Sequence, residues 1–259
     1  LGRGLANCGG GDGVVVIVDV GAKGGLQRKW KEIKHEAHLF EPVKESYDAI
    51  IKKPSRNYKI YNMALSDKKE DLIINVCKAK GCSSVYEHDL DYIAKYRFDA
   101  TEWFKTEYQI TVKADTLDSL NINADFIKID VEGHAFPVLK GAKETLKNCI
   151  GLEIEIDFAP YRKGMSLFSD IHPFLVERGF ELHEFNSFSK RDRIEGLSID
   201  EVKDITGDDK WLHSVSGPIW AADCVWLKPP ECIPDQKYNK AKNIYKVFNQ
   251  EGYLRILKG

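Results

Sequence analysis

Several protein classes are excluded by what the chain lacks. Its six cysteines (Cys8, Cys77, Cys82, Cys149, Cys224 and Cys232) contain no C-x-x-C pair and are widely scattered. That argues against a disulfide frame or zinc site and points to a reducing compartment, with a cytoplasmic location expected. No apolar run approaches the roughly 20 residues of a membrane span, so none is expected. A surplus of one charge is missing too. The 38 Lys and Arg against 40 Asp and Glu leave a net charge of −2, which gives no overall drive toward nucleic acid or anionic membrane. No nucleic-acid partner is expected. There is no internal repeat, and Leu1-Gly2-Arg3-Gly4 has neither the charged nor the apolar region of a signal peptide. Without an initiator Met, native residues before Leu1 and any targeting signal stay open.

What is present is ample material for a core. Hydrophobic residues make up 43% and charged residues 30% of 259, a size that one elaborated α/β domain reaches. Residues 14–228 are expected to form it, after a glycine-rich lead-in (1–13) and before a basic, partly helical tail (229–259) packed on the same domain. The lead-in precedes the first strand and lacks a Gly-Lys-Ser/Thr ending, so it does not read as a phosphate loop.

Val14-Val15-Val16-Ile17-Val18 is a run of branched apolar residues suited to a strand covered on both faces, and it ends in Asp19-Val20-Gly21-Ala22-Lys23-Gly24-Gly25. A helix over 26–34 is expected next, its free N–H groups aimed back at the turn. A strand at 38–42 and a helix over 43–53 continue a β-α-β-α rhythm. A third strand (58–63) precedes an expected antiparallel addition at 71–76. Residues 77–107 lack a clean period and read as an insertion, with a helix in 92–104. Further strands are expected at 109–113, 125–131, 151–156 (with one polar side), 180–185 and 219–227. Helices are expected from Pro137 at the first helical position, over 167–178 with Gly179 as C-cap, and over 238–248. Residues 189–216 read as a second irregular insertion.

Asp19 and Glu41 stand at the carboxyl ends of the first two strands. In a doubly wound sheet the second acid reaches the ribose hydroxyls of a bound nucleotide, because a carboxylate offers two acceptors to a vicinal diol. The order Gly21-Ala22-Lys23-Gly24-Gly25 is not G-x-G-x-x-G, which counts against a nicotinamide cofactor. His35 and His38 read as surface groups.

Five motifs in one order, Asp19-Val20-Gly21-Ala22, Leu39-Phe40-Glu41-Pro42, Ala64-Leu65-Ser66-Asp67, Thr116-Leu117-Asp118-Ser119-Leu120 and Ile127-Lys128-Ile129-Asp130-Val131-Glu132-Gly133, resemble the FkbM-type methyltransferases. The resemblance implies an α/β, Rossmann-like class I methyltransferase fold: a mostly parallel seven-stranded sheet with helices on both faces, binding S-adenosylmethionine. It also implies O-methylation of a hydroxyl. By the same resemblance Asp19, Gly21, Ala22 and Lys23 hold the methionine part of the cofactor and Glu41, beside Pro42, the ribose. Met63, Ala64, Leu65 and Ser66 flank the adenine, and Asp130 lies beside the reacting methyl. Lys23 and Ala135 depart from the family pattern, which usually has Asn and Glu there.

Asp130, Glu132 and His134 alternate around a strand end and a Gly133 turn, and are the candidates for accepting the proton of a small-molecule or carbohydrate-type hydroxyl. His134 is attractive because its ordinary pKa is near neutrality. No metal is assigned, although Asp130 with Glu132 offers hard carboxylate ligands. Glu153 and Glu155 fit an acceptor pocket or a polar strand face equally. Tyr86, Tyr92, Tyr96, Trp103 and Phe104 suit an acceptor wall, or simply the packing of the insertion. A catalytically silent cofactor-fold binding module and a nucleotide-dependent Rossmann enzyme of another class are the alternatives. The acceptor and the oligomeric state are not readable.

Overall fold

A strand with branched apolar residues on both sides must be covered on both sides, and β1 (Val15–Val20) runs through the middle of the main sheet. The computed structural model describes residues 13–52, 55–96, 100–198, 201 and 217–257. Its other strands are β2 (His35–Phe40), β3 (Tyr58–Tyr61), β4 (Ala64–Leu65), β5 (Glu70–Cys77), β6 (Thr106–Asp115), β7 (Phe126–Ile129), β8 (Gly151–Asp157), β9 (Glu181–Lys190) and β10 (Ile219–Leu227). Seven of them form one sheet in the order β3-β2-β1-β7-β8-β10-β9. Only β10 opposes its neighbours. This is a mostly parallel, seven-stranded, Rossmann-like sheet.

The helices are α1 (Lys44–Ile51), α2 (Leu90–Ala94), α3 (Ala100–Trp103), α4 (Ala135–Lys140), α5 (Lys143–Asn148), α6 (Phe168–Val176), α7 (Tyr238–Val247) and α8 (Glu251–Ile256). Side chains alternate across a strand, so each face of the sheet receives its own cover. Val18, Val20, Ile127, Ile129, Leu152 and Ile154 pack against Val138, Leu139, Leu146, Ile171 and Leu175 of α4, α5 and α6. On the opposite face Val15, Ile17, Phe126 and Val225 meet Ala241, Ile244, Tyr245 and Leu254 of α7 and α8.

Several expectations need correcting. Residues 26–34 hold a short 3-10 turn, Arg28–Glu32, rather than an α-helix. Gly24 and Gly25 both sit at φ +86 and Ile33 is already extended, which leaves too few residues for one. β2 begins three residues early, and His38 is buried, stacked on Tyr61 with its Nδ1 3.0 Å from the Tyr61 hydroxyl. The 71–76 strand pairs antiparallel with β6, but in a separate three-stranded sheet ordered β4-β6-β5. The 92–104 helix resolves into α2 and α3. The helix expected from Pro137 starts at Ala135, which puts proline at the third position, still in the turn whose N–H groups need no partner. The polar side of β8 exists but is not solvated: Glu153 is buried and paired with Lys29. α8 was not foreseen. The lead-in before Gly13, the end of the 43–53 helix and most of the second insertion (199–200 and 202–216) lie outside the described residues. Among the described residues, no helix is long and apolar enough to cross a membrane.

Candidate functional site

Gly21 is where fold and site join. It has φ +82, and a Cβ there would lie 1.9 Å from the carbonyl oxygen of Asp130, so only glycine lets the turn after β1 press against the turn after β7. Hydrogen bonds fix the same approach. Gly21 N and Ala22 N each donate to Phe40 O at 3.0 Å, and Asp130 N donates to Val20 O at 2.9 Å. The carboxyl ends of β2, β1 and β7 are thereby held in a row, at the crevice where open α/β sheets take their ligands.

A cavity of about 990 Å³ lies over this row. Gly21, Lys23, Glu41, Pro42, Met63, Ala64, Leu65 and Asp130 line it, together with Glu132, His134 and Glu155. An apolar wall closes it. That wall is Leu72, Ile74, Val76 and Ile110 of the small sheet with Val85 of the insertion, and Tyr108 is at its mouth. Three of the expected cofactor residues do not reach the cavity. Asp19 is buried 3.8 Å from the Lys128 ammonium, Ala22 is packed with Ala37, Leu39 and Ile50, and Ser66 is buried beside His134.

The Glu41 carboxylate is nearly inaccessible, and burial raises its pKa while Lys23 works the other way. Its Oε1 accepts from Val43 N at 2.9 Å, and Oε2 has no protein donor among the described residues. One acceptor is therefore left for a ligand hydroxyl. Burial also raises Asp19 to about 6, although Lys128 opposes it. Lys128 leans toward the half-buried Asp130, donating to its Oδ2 at 3.0 Å. Lys23 is exposed and makes no ion pair among the described residues.

Glu132 and Gly133 take successive positive φ values, 51 and 92, before the chain enters α4. Burial drives the pKa of Glu132 up to about 7 despite its ion pair with Arg162, and burial with the neighbouring carboxylates raises Glu155 well above the ordinary value. Asp130, Glu132 and Glu155 bring carboxylate oxygens within 4.8 Å of one another.

His134 is buried, and that desolvation lowers its pKa to about 4, so it is neutral at physiological pH. The Ser66 hydroxyl donates its single proton to Glu70 at 3.1 Å and lies 3.2 Å from His134 Nε2. Nε2 must then be the donor, which leaves a lone pair on Nδ1, an atom with no protein partner.

Of the aromatic residues of the first insertion, Tyr86 sits 5.9 Å from the His134 ring. Tyr92, Tyr96 and Phe104 pack instead with Ile93, Ala159 and Trp220, and Trp103 lies under Lys78. The sequence reading missed Arg162, Tyr161 and Asp157 behind Glu132, and it missed the small-sheet wall. The alternation of 71–76 signalled the strand, but nothing local tells which sheet a strand joins.

The family model of the methyltransferase FkbM domain matches residues 19–182. Among curated protein sequences, none matches the chain. Solved structures resemble it, among them the following three. The FkbM methyltransferase of Methylobacillus flagellatus is 14% identical with a TM-score of 0.45, over 83% of this chain and 43% of that one. The magnesium protoporphyrin IX methyltransferase of Synechocystis, with bound SAM, is 8% identical with a TM-score of 0.41, over 83% and 70%. A putative RNA methyltransferase of Pyrococcus horikoshii is 10% identical with a TM-score of 0.37, over 82% and 74%. The chain thus spans less than half the length of the Methylobacillus protein.

Proposed function

The chain belongs to the FkbM methyltransferase family, and we propose that it is a class I S-adenosylmethionine-dependent methyltransferase that methylates a hydroxyl oxygen of a small-molecule or carbohydrate-type acceptor. The observation that carries this reading is a pair of carboxylates with raised pKa, Glu132 and Glu155, lining the same cavity as the Gly21 turn, Glu41 and His134.

The residues fit the cofactor: Glu41 keeps one free acceptor for a diol, and the Gly21 turn lies open to the cavity beside Asp130. Gly21 and Lys23 take the methionine part, Glu41 the ribose, and Met63, Ala64 and Leu65 the adenine. Asp19 and Ala22 support the turn from behind, and Ser66 acts through His134. Bound S-adenosylmethionine supplies a methyl already activated on sulfur. The protein's task is to align the acceptor oxygen and take its proton as the oxygen–carbon bond forms and the sulfur–carbon bond breaks. Glu132, raised to about 7, is the better matched base, whereas His134, lowered to about 4, is neutral but weak. With Cys77, Cys82, Cys149, Cys224 and Cys232 all free, a reducing compartment such as the cytoplasm suits the protein.

Calorimetry with S-adenosylhomocysteine, on the parent and on Glu41→Ala, tests the cofactor half. Binding by the parent, weakened about tenfold or more in the variant through the lost diol acceptor, is expected. Equal affinities would remove Glu41 from the ribose site. Incubation with labelled S-adenosylmethionine and a panel of hydroxyl, amine and thiol acceptors tests the other half, and label recovered only on nitrogen or sulfur would overturn the hydroxyl assignment.

A further inference from the structure

Glu132 is held in a conformation that an L-residue seldom adopts. Its φ of 51 is followed by φ 92 at Gly133, and strain of this kind persists only when the surroundings over-determine it. Two groups from other parts of the chain do so here. Ser84 Oγ, in the first insertion, donates to the Glu132 carbonyl at 2.6 Å, and Arg162 Nη2, in the loop after β8, pairs with the Glu132 carboxylate.

Arg162 is itself fixed. Its side chain is 1% exposed, Nη1 donates to the Tyr161 hydroxyl at 3.1 Å and to Asp157 Oδ2 at 3.4 Å, and the Tyr161 hydroxyl bonds Asp157 in turn. The planar guanidinium thus ties the end of β8 to the rim of the cavity without lining the cavity itself. Gly133 packs beside it: a Cβ there would press on Met165 at 3.3 Å and only touch Arg162 Nη1 at 3.6 Å.

We propose that Arg162 is a positioning residue for methyl transfer, fixing the Glu132 carboxylate at the acceptor end of the cavity. The consequence for catalysis rests on the reading of Glu132 given above; the clamp does not. Among the described residues, the groups that face Glu132 are Asp130 on its own turn, Asp157 and Glu155 on β8, Tyr161 and Arg162 from the following loop, and Cys77 and Cys82 from the insertion. Arg162 is the one cation among these. Without it Glu132 faces carboxylates, thiols and a phenol, so it must take up a proton or leave its place.

The test reads the carboxylate directly, so its failure is distinct from failure to find a hydroxyl acceptor. In protein labelled with carboxyl-¹³C glutamate, the Glu132 resonance is identified by its loss in Glu132→Gln. Arg162→Met is expected to raise its titration midpoint by about one pH unit or more, and Arg162→Lys, which keeps the charge but not the fork, to raise it less. Both variants should keep S-adenosylhomocysteine affinity within about twofold, as expected of a residue outside the cavity wall. An unchanged midpoint in folded Arg162→Met overturns the proposal. If that variant does not fold, Arg162→Lys decides: a midpoint and chemical shift identical to the parent's overturn it equally.

Discussion

At the amino edge of the main sheet, Asp125 is wholly buried and meets two lysines; at the carboxyl edge, Glu132, Asp157 and Glu155 share one arginine. Asp125 Oδ1 accepts from Lys237 at 2.8 Å, and Oδ2 accepts from Lys240 at 2.7 Å and from Val16 N at 2.9 Å. Lys237 also donates to Asn148 O at 2.6 Å, so the cluster bolts the C-terminal segment to the start of β1 and the end of α5. At the carboxyl edge, burial raises all three carboxylates, and Arg162 counters only part of the effect. A buried acid that is fully compensated serves the fold. A group of them left short of positive charge, beside a cavity, keeps a capacity to hold protons that chemistry can use.

The largest expected effect comes from breaking the compensated edge. Asp125→Ala strands the buried Lys237 ammonium and should cost about 3–5 kcal/mol of stability, read from urea unfolding, while the folded fraction binds S-adenosylhomocysteine as before. A loss below about 1 kcal/mol would mean that the lysines find other partners and that the contrast between the edges is overdrawn. Glu132→Gln should do the reverse. Removing one of several crowded carboxylates should leave stability within about 1 kcal/mol of the parent above pH 7, while methyl transfer to an accepted substrate falls about 10²–10⁴-fold. Full activity in that variant would remove Glu132 as the base and return the role to His134 or Asp130.

The two edges also differ in how far the sequence reveals them. The carboxyl edge is legible in outline because its chemistry sits in local motifs: Asp19 to Lys23, Leu39 to Pro42 and Asp130 to Gly133 each lie within a few residues of a strand end. The burial of Val15, Ile17 and Val18 follows from composition alone. What places Arg162 behind Glu132, or Lys237 on Asp125, is a separation of 30 or 112 residues bridged only by folding, with no periodicity to announce it. His134 shows the limit from another side. Its position in the motif was readable, but its lowered pKa comes from burial against Ser66 and Tyr86, so the reason first given for favouring it as a base does not hold. The small sheet escaped for a similar reason, since β5 alternates like any half-buried strand whether it extends the main sheet or walls a cavity.

The pH dependence of stability separates crowding from compensation most directly. Glu132 rises from 4.5 to about 7 on folding, so between these values the native state holds a proton that the unfolded chain has released. Stability from this group is fully present below the unfolded value and is lost as pH rises toward 7. Asp19, raised from 3.8 to about 6, acts in the same direction over a lower window. His134 acts oppositely: lowered from 6.5 to about 4, it resists protonation in the native state and removes stability as pH falls through that range. Glu132→Gln deletes the first contribution and leaves the other two. The unfolding free energy of the variant relative to the parent should therefore climb between about pH 4.5 and about pH 7 and stay level above, in urea titrations across that range. A difference that is the same at every pH would mean that Arg162 neutralises Glu132 as completely as Lys237 and Lys240 do Asp125, and that the two edges of the sheet obey one rule after all.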